Sequence, residues 1–218
     1  MRGLFALVAA IGLFSLGIQP AAAEETMRYG VQPTMSPVYI ALALGLFYPV
    51  EEKDHIRFLF VPYQNGPAAN KAIASGDLQM SSEDMGSALV AASRLPATLV
   101  ATDVFGKTGN GEIVSNDFLA RHRDVVQDVV RALSQASDFI IKDPNTAAKL
   151  WAKQIGLPEK TILFSLTRHV SVYRRDITPS MADIDAYAKS LRKTKTLNAG
   201  DVPKVDPSFG RKAIGLRS

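Results

Sequence analysis

The sequence predicts an α/β fold, a parallel-rich sheet flanked by helices and continued by a helical C-terminal portion. Three observations carry this. Between Met27 and Val104, short runs rich in β-branched and aromatic residues alternate with small-residue stretches. From about Phe118 onward, apolar residues recur at helical spacing instead. Start and stop signals (Ser-Pro, Asn-Gly-Pro and single glycines) fall at the joints between these segments.

Met27 to Val31 reads as the first strand. Ser36-Pro37 then opens a helix: the Ser oxygen accepts an orphan N–H, and Pro has none to lose. That helix runs from Val38 to about Leu44 and stops near Gly45, and Ile56 to Tyr63 forms an extended segment. Asn65-Gly66-Pro67 opens a second helix through Ala68, Ala69, Ala72 and Ile73, which ends at Gly76. A short strand at Leu78–Ser81, a helix from about Asp84 to Ser93 and a strand from Ala97 to Val104 follow. Strand–helix repetition of this kind indicates a parallel sheet covered by helices. Beyond it, Val125, Val126, Val129, Val130, Leu133, Ala136, Phe139 and Ile140 mark one long amphipathic helix. Asp143-Pro144, Leu157-Pro158 and Thr178-Pro179 open three more, and Gly156 stops the first of them. Asn198 to Ser218 carries Gly, Pro and charge without period and reads as an extended tail.

With 218 residues, 47% of them hydrophobic, the chain has material for one substantial core or two small ones. The net charge of +4 comes from Lys and Arg interleaved with acids, without the clustering of a nucleic-acid footprint. There is no cysteine, which excludes disulfides, thiol nucleophiles, Cys-held metals and a Cys-linked lipid anchor. Arg2, the apolar run Leu4–Ile18 and the exit Ala21-Ala22-Ala23 have the pattern of a cleavable secretory leader, cut after Ala23. The run falls short of the about 20 residues a membrane span needs. A diffusible periplasmic protein is the expected outcome. His55, His122 and His169 stand in unrelated contexts, none at a metal-ligand spacing. No Gly-x-Ser-x-Gly elbow or phosphate loop is present. A non-enzyme without metal or cofactor is expected.

The opening Met27-Arg28-Tyr29-Gly30-Val31-Gln32-Pro33-Thr34, then Pro37-Val38-Tyr39-Ile40-Ala41, resembles that of the nitrate/sulfonate/taurine-type solute-binding proteins of ABC importers. So does Val61 to Asp77, with its small-residue helix followed by Ala74-Ser75-Gly76-Asp77. Asn116-Asp117-Phe118-Leu119, Asp143 to Ala148 and Asp176-Ile177-Thr178-Pro179 resemble the family's C-terminal helices. The resemblance implies the type II periplasmic-binding arrangement, two α/β lobes with the second inserted in the first and the solute between them. Here the outgoing crossover (Ala101–Phe105) and the return (Glu112–Ser115) are separated by Gly106–Gly111 alone. That stretch suits a turn and is too short for a lobe. The expected organisation is therefore a leader (1–23), a first-lobe α/β part (24–105), a short bridge (106–111), a helical part packed on the first lobe (112–197) and the tail (198–218). Most of the second lobe is missing.

Such proteins hold small anions at helix N-termini, where unpaired N–H groups and the dipole favour negative charge. The resemblance places three such entrances at the C-terminal edge of the sheet: Gln32–Ser36, Asn65-Gly66 and Ser81–Asp84. Candidate ligand-binding residues are Gln32, Thr34, Ser36, Tyr39, Asn65, Gly66, Ser81 and Ser82. Ser36 and Asp84 also read as simple helix caps, Asn65 as a turn residue, and Tyr39 as core packing. Asp84 beside an anion repels it, which argues against nitrate or sulfonate. The implied partners are a small anionic or polar organic solute (sulfonate-, nitrate- or taurine-like) and an inner-membrane ABC permease, with the exposed cleft face a candidate surface for a homodimer. The alternatives are a non-transporting one-lobe remnant or interaction module, and a thiamin pyrimidine-precursor-type protein, whose histidine motif is not found here.

Overall fold

The structure, a computed structural model, describes residues 25–106 and 109–216. The expected leader, and Lys107 and Thr108 of the expected bridge, lie outside the described residues. Six strands form one sheet: β1 (Glu25–Val31), β2 (Ile56–Pro62), β3 (Met80–Asp84), β4 (Ala97–Gly106), β5 (Asn110–Ser115) and β6 (Ser171–Val172), in the spatial order β2-β1-β3-β5-β4-β6. β1 is parallel to β2 and β3. β5 lies antiparallel between β3 and β4, so β4 points the same way as β1–β3. This is the α/β, parallel-rich sheet that the strand–helix alternation predicts.

The helices are α1 (Pro37–Ala43), α2 (Tyr48–Asp54), α3 (Gly66–Ser75), α4 (Met85–Arg94), α5 (Asn116–Arg121), α6 (Arg123–Lys142), α7 (Pro144–Ile155), α8 (Glu159–Thr167), α9 (Met181–Lys193) and α10 (Ser208–Ala213). They begin and end as the chain chemistry requires. Ser36, Asn65, Asp84, Asp143 and Ser180 each accept a first-turn N–H with the side chain. Gly76 and Gly156 stop α3 and α7 at φ 82° and 72°, a left-handed conformation that costs glycine nothing.

Alternation along the strands divides the apolar residues into two clusters. In one, Met27, Tyr29, Phe47, Phe58, Val100 and Val114 pack under α1, α6 and α7, with Trp151 fully buried. In the other, Leu78, Leu99 and Ile113 pack under α3 and α4 with Ala69, Ile73 and Leu89, and Ile184 of α9 closes over them. Both faces of the sheet are covered, as parallel sheets require.

The structure corrects the sequence reading at several places. α2 has no counterpart there, because its seven residues bury only Val50 and so show no period. The third strand runs Met80–Asp84, not Leu78–Ser81, since Ser81, Ser82 and Glu83 are polar yet fully buried. The last long helix starts at Met181, capped by Ser180 and not by Thr178. β6 pairs with the end of β4, Phe105 with Val172 and Gly106 with Ser171. The tail is extended only as far as its contact with β4: Leu99 N donates to Lys204 O (2.9 Å) and Asp206 N to Leu99 O (2.9 Å). After that it becomes helical and buries Phe209, whose ring Arg123 covers at 4.4 Å. A six-residue helix with one anchor leaves no period to read.

Candidate functional site

β1, β3 and β4 all end at the same edge of the sheet, and the chain leaves that edge into α1, α4 and the turn to β5. The loop after β2 brings the start of α3 to the same side. Open α/β sheets bind ligands at this carboxyl edge. At each of the three helix entrances the chain satisfies its own N–H groups. Ser36 Oγ accepts from Val38 N at 3.2 Å, Asn65 Oδ1 from Ala68 N at 3.0 Å, and Asp84 Oδ1 from Ser87 N at 2.9 Å.

Beneath the edge lies a buried polar cluster that sequence reasoning missed. Asp103 of β4 and Glu112 of β5 are both fully buried and hydrogen-bond each other. Tyr29 donates its phenolic O–H to Glu112 Oε2. Ser36 Oγ donates to Asp103 Oδ2 at 3.3 Å and lies 3.0 Å from Ser82 Oγ, which accepts from Asn110 Nδ2 at 3.3 Å. Burial pushes the Asp103 carboxyl up to about 6. Burial first, and the charge of Asp103 second, holds Glu112 well above the ordinary carboxylate range. Both are raised, and two carboxyls in contact in an apolar setting resist ionising together. Glu83, in the next strand, is pushed up to about 8 by burial and by its neighbour Asp84. Among the described residues no Lys, Arg or His pairs with any of these three acids.

Above the cluster opens a cleft of about 540 Å³. Thr34 and Met35 before α1, Asp84–Gly86 at the start of α4 and Asn110 of β5 form one side. Leu157, Thr161, Ile162 and Ser165 of the α8 region form the other. A smaller recess of about 300 Å³ adjoins it through Met85, Val104, Gly109 and Tyr187, and carries Arg174 and Asp183.

Of the candidate residues, Thr34 lines the cleft. Its Oγ1 and the Nε2 of buried Gln32 have no protein partner among the described residues. Ser36 and Ser82 sit one layer behind, spent on each other and on Asp103 and Asn110. Ser81 is fully buried, facing Gly30 across the sheet. Tyr39 is half-buried and donates to Gln32 O at 2.9 Å, so it braces the loop before α1. Asn65 is exposed and caps α3, as the turn reading expects, while Gly66 is buried against Ser87. Asp103 and Glu112 were legible only as members of strands, because an acid in a strand ordinarily faces water. Trp151 is core, and its Nε1 also donates to Ser36 O at 3.0 Å, fixing the first entrance from behind.

The arrangement offers a concave, largely apolar lining with a few polar groups, of a size that suits a small solute. Among the described residues no group of three or more His, Asp or Glu is placed to hold a metal ion. No described helix is long and apolar enough to cross a membrane.

No protein-family model matches the chain. Over 133 residues it is 29% identical to an aliphatic sulfonates-binding protein of Bacillus subtilis (strain 168), a match covering 59% of this chain and 39% of that protein. The chain thus spans about two fifths of the length of the curated relative it matches. Solved structures that share the fold include two sulfonate-binding proteins. The periplasmic aliphatic sulphonate-binding protein of Escherichia coli superposes with a TM-score of 0.65 at 13% identity, covering 81% of this chain and 90% of that one. The alkanesulfonate-binding protein of Xanthomonas axonopodis pv. citri bound to MOPS gives 0.64 at 14% identity, covering 84% and 98%. In sequence and in fold, then, the chain is similar to sulfonate-type periplasmic binding proteins.

Proposed function

We propose that this chain, on the strength of that likeness, is an exported solute-binding component of an ABC importer that takes up a small organic solute and presents it to an inner-membrane permease. The observation that carries the reading is the cleft at the carboxyl edge of the sheet, walled by helix entrances and by α8, in a fold of periplasmic-binding type. Export rests on the leader pattern of residues 1–23.

The reading includes the loss of most of a second lobe. In its support, β4 ends at Gly106 and β5 begins at Asn110, so three residues join the strands at the point where a lobe would be inserted. A solute held by one lobe keeps one side in water, whereas enclosed sites bury 70–90% or more of a ligand. Weak affinity follows, with a dissociation constant on the order of 0.1–1 mM, equivalent to about 4–5.5 kcal/mol. The same hairpin favours the second reading, a non-transporting one-lobe remnant whose open cleft face meets another copy.

A thermal-shift screen of the purified chain separates the two readings. The panel holds nitrate, sulfate, taurine, alkanesulfonates, aromatic carboxylates, thiamin-type pyrimidines and organic amines. A ligand at 100 times its dissociation constant adds about 2.7 kcal/mol of stability, a rise in Tm of roughly 5–10 °C for a domain of this size. A rise from one chemical class supports the receptor. A cooperative melt that no compound moves overturns it in favour of the remnant.

A further inference from the structure

The binding proteins it resembles are named for sulfonates, yet the charges around this cleft have the opposite sense. Asp84 is the one acidic side chain among the described residues that line the larger cleft. Its Oδ1 already occupies the α4 entrance, accepting from Ser87 N at 2.9 Å. Its Oδ2 lies 3.0 Å from the position a side chain on Gly66 would take, so the same carboxylate also stands beside the start of α3. No Lys, Arg or His among the described residues pairs with Asp84. The place where a helix N-terminus would otherwise attract an external anion is filled by one supplied by the chain.

The layer behind reinforces this. Asn110, in the cleft wall, is tied through Ser82 and Ser36 to the Asp103–Glu112 pair, and that pair has no cation to balance it. The adjoining recess adds Asp183 and one cation, Arg174, which is turned onto the ring of Phe105 at 4.4 Å. Across both spaces the lining carries two carboxylates to one guanidinium, and the rest is largely apolar, with Met35, Met85, Val104, Leu157 and Ile162. A concavity with an excess of negative charge concentrates cations and repels anions. We infer that the cleft binds an organic cation, a primary ammonium on an apolar body, with the ammonium at Asp84 and the body against the methionines and α8. The inference rests on the receptor reading and reverses the charge class expected of its solute.

Matched probes differing only in head group test it: phenethylamine, 2-phenylethanol and 2-phenylethanesulfonate, titrated calorimetrically into the purified chain at pH 7 and low salt. The expected order of affinity is amine, then alcohol, then sulfonate, with about tenfold between the first two. Asp84→Asn keeps the α4 cap, since Asn caps as well as Asp. It should erase the amine's advantage over the alcohol while leaving the alcohol's affinity unchanged. Asp183→Asn, which removes the more distant of the two carboxylates, should narrow the amine's advantage without erasing it. A sulfonate that binds as tightly as the amine, or an amine advantage that survives Asp84→Asn, overturns the charge assignment and leaves the receptor standing. Binding by none of the three, together with no shift from the wider panel, overturns both.

Discussion

Glu83, Asp103 and Glu112 are three carboxyls held in the interior without a cation, and their protonation ties stability to pH. Each has a folded-state pKa above its unfolded value. The folded state therefore binds more protons than the unfolded chain over the interval between them, and stability falls as pH rises. For Glu83 the interval runs from about 4.5, its ordinary value, to about 8, with a slope of up to about 1.4 kcal/mol per pH unit. We expect Tm to decline steadily from pH 5 to pH 8.5. Glu83→Gln, which keeps the shape without the charge, should raise Tm at pH 8 and leave it nearly unchanged at pH 5. An equal effect at both values would mean that Glu83 is not titrating in this range. The sequence gives no sign of this behaviour, because an acid in a strand reads as surface. Only the pairing of Ser82 with Glu112 and of Glu83 with Gly111 turns these side chains inward.

The elements flanking the cleft were largely legible, since their limits are written in local chemistry. Ser36-Pro37, Asn65-Gly66-Pro67 and Asp143-Pro144 each supply a capping oxygen followed by a proline or glycine that tolerates the first turn. What local chemistry does not reveal is how closely the elements approach. A Cβ on Gly66 would lie 2.1 Å from Cβ and Oγ of Ser87, so α3 and α4 meet at a point where only hydrogen fits. Gly66→Ala should cost about 1–3 kcal/mol through overpacking, a fall in Tm of roughly 3–8 °C. Ser87→Gly in the same chain should restore most of it. Additive losses in the double variant would contradict the contact. The short elements, α2, β6 and α10, escaped the sequence reading for one shared reason: each buries one or two residues, which sets no period.

At the scale of the molecule, the C-terminal segment completes the sheet. Lys204 to Asp206 runs along the free edge of β4, and Phe209 fills the space between α10 and α6. Gln127 Nε2 donates to Phe209 O at 3.0 Å, and Arg123 pairs with Asp206 at 2.6 Å. Ending the chain before Lys204 should expose that edge and remove the anchor, and Phe209→Ala alone should cost about 3–5 kcal/mol. Urea denaturation followed by circular dichroism measures both, and a midpoint unchanged by the truncation would contradict the docking of the tail. The hairpin between β4 and β5 fixes the other molecular property, a single sheet in the described residues with its carboxyl edge open. The walling of that edge by α8 and β6 depends on packing that no motif announces.

The central claim is that this edge is a solute site, and its most direct test is amide chemical-shift mapping of the labelled chain during titration with phenethylamine. The account predicts saturable shifts confined to the cleft lining, at Thr34, Met35, Gly86, Asn110, Thr161 and Ser165. Shifts confined instead to the groove between α3, α4 and the end of α9, at Lys71, Val90 and Leu191, would contradict it.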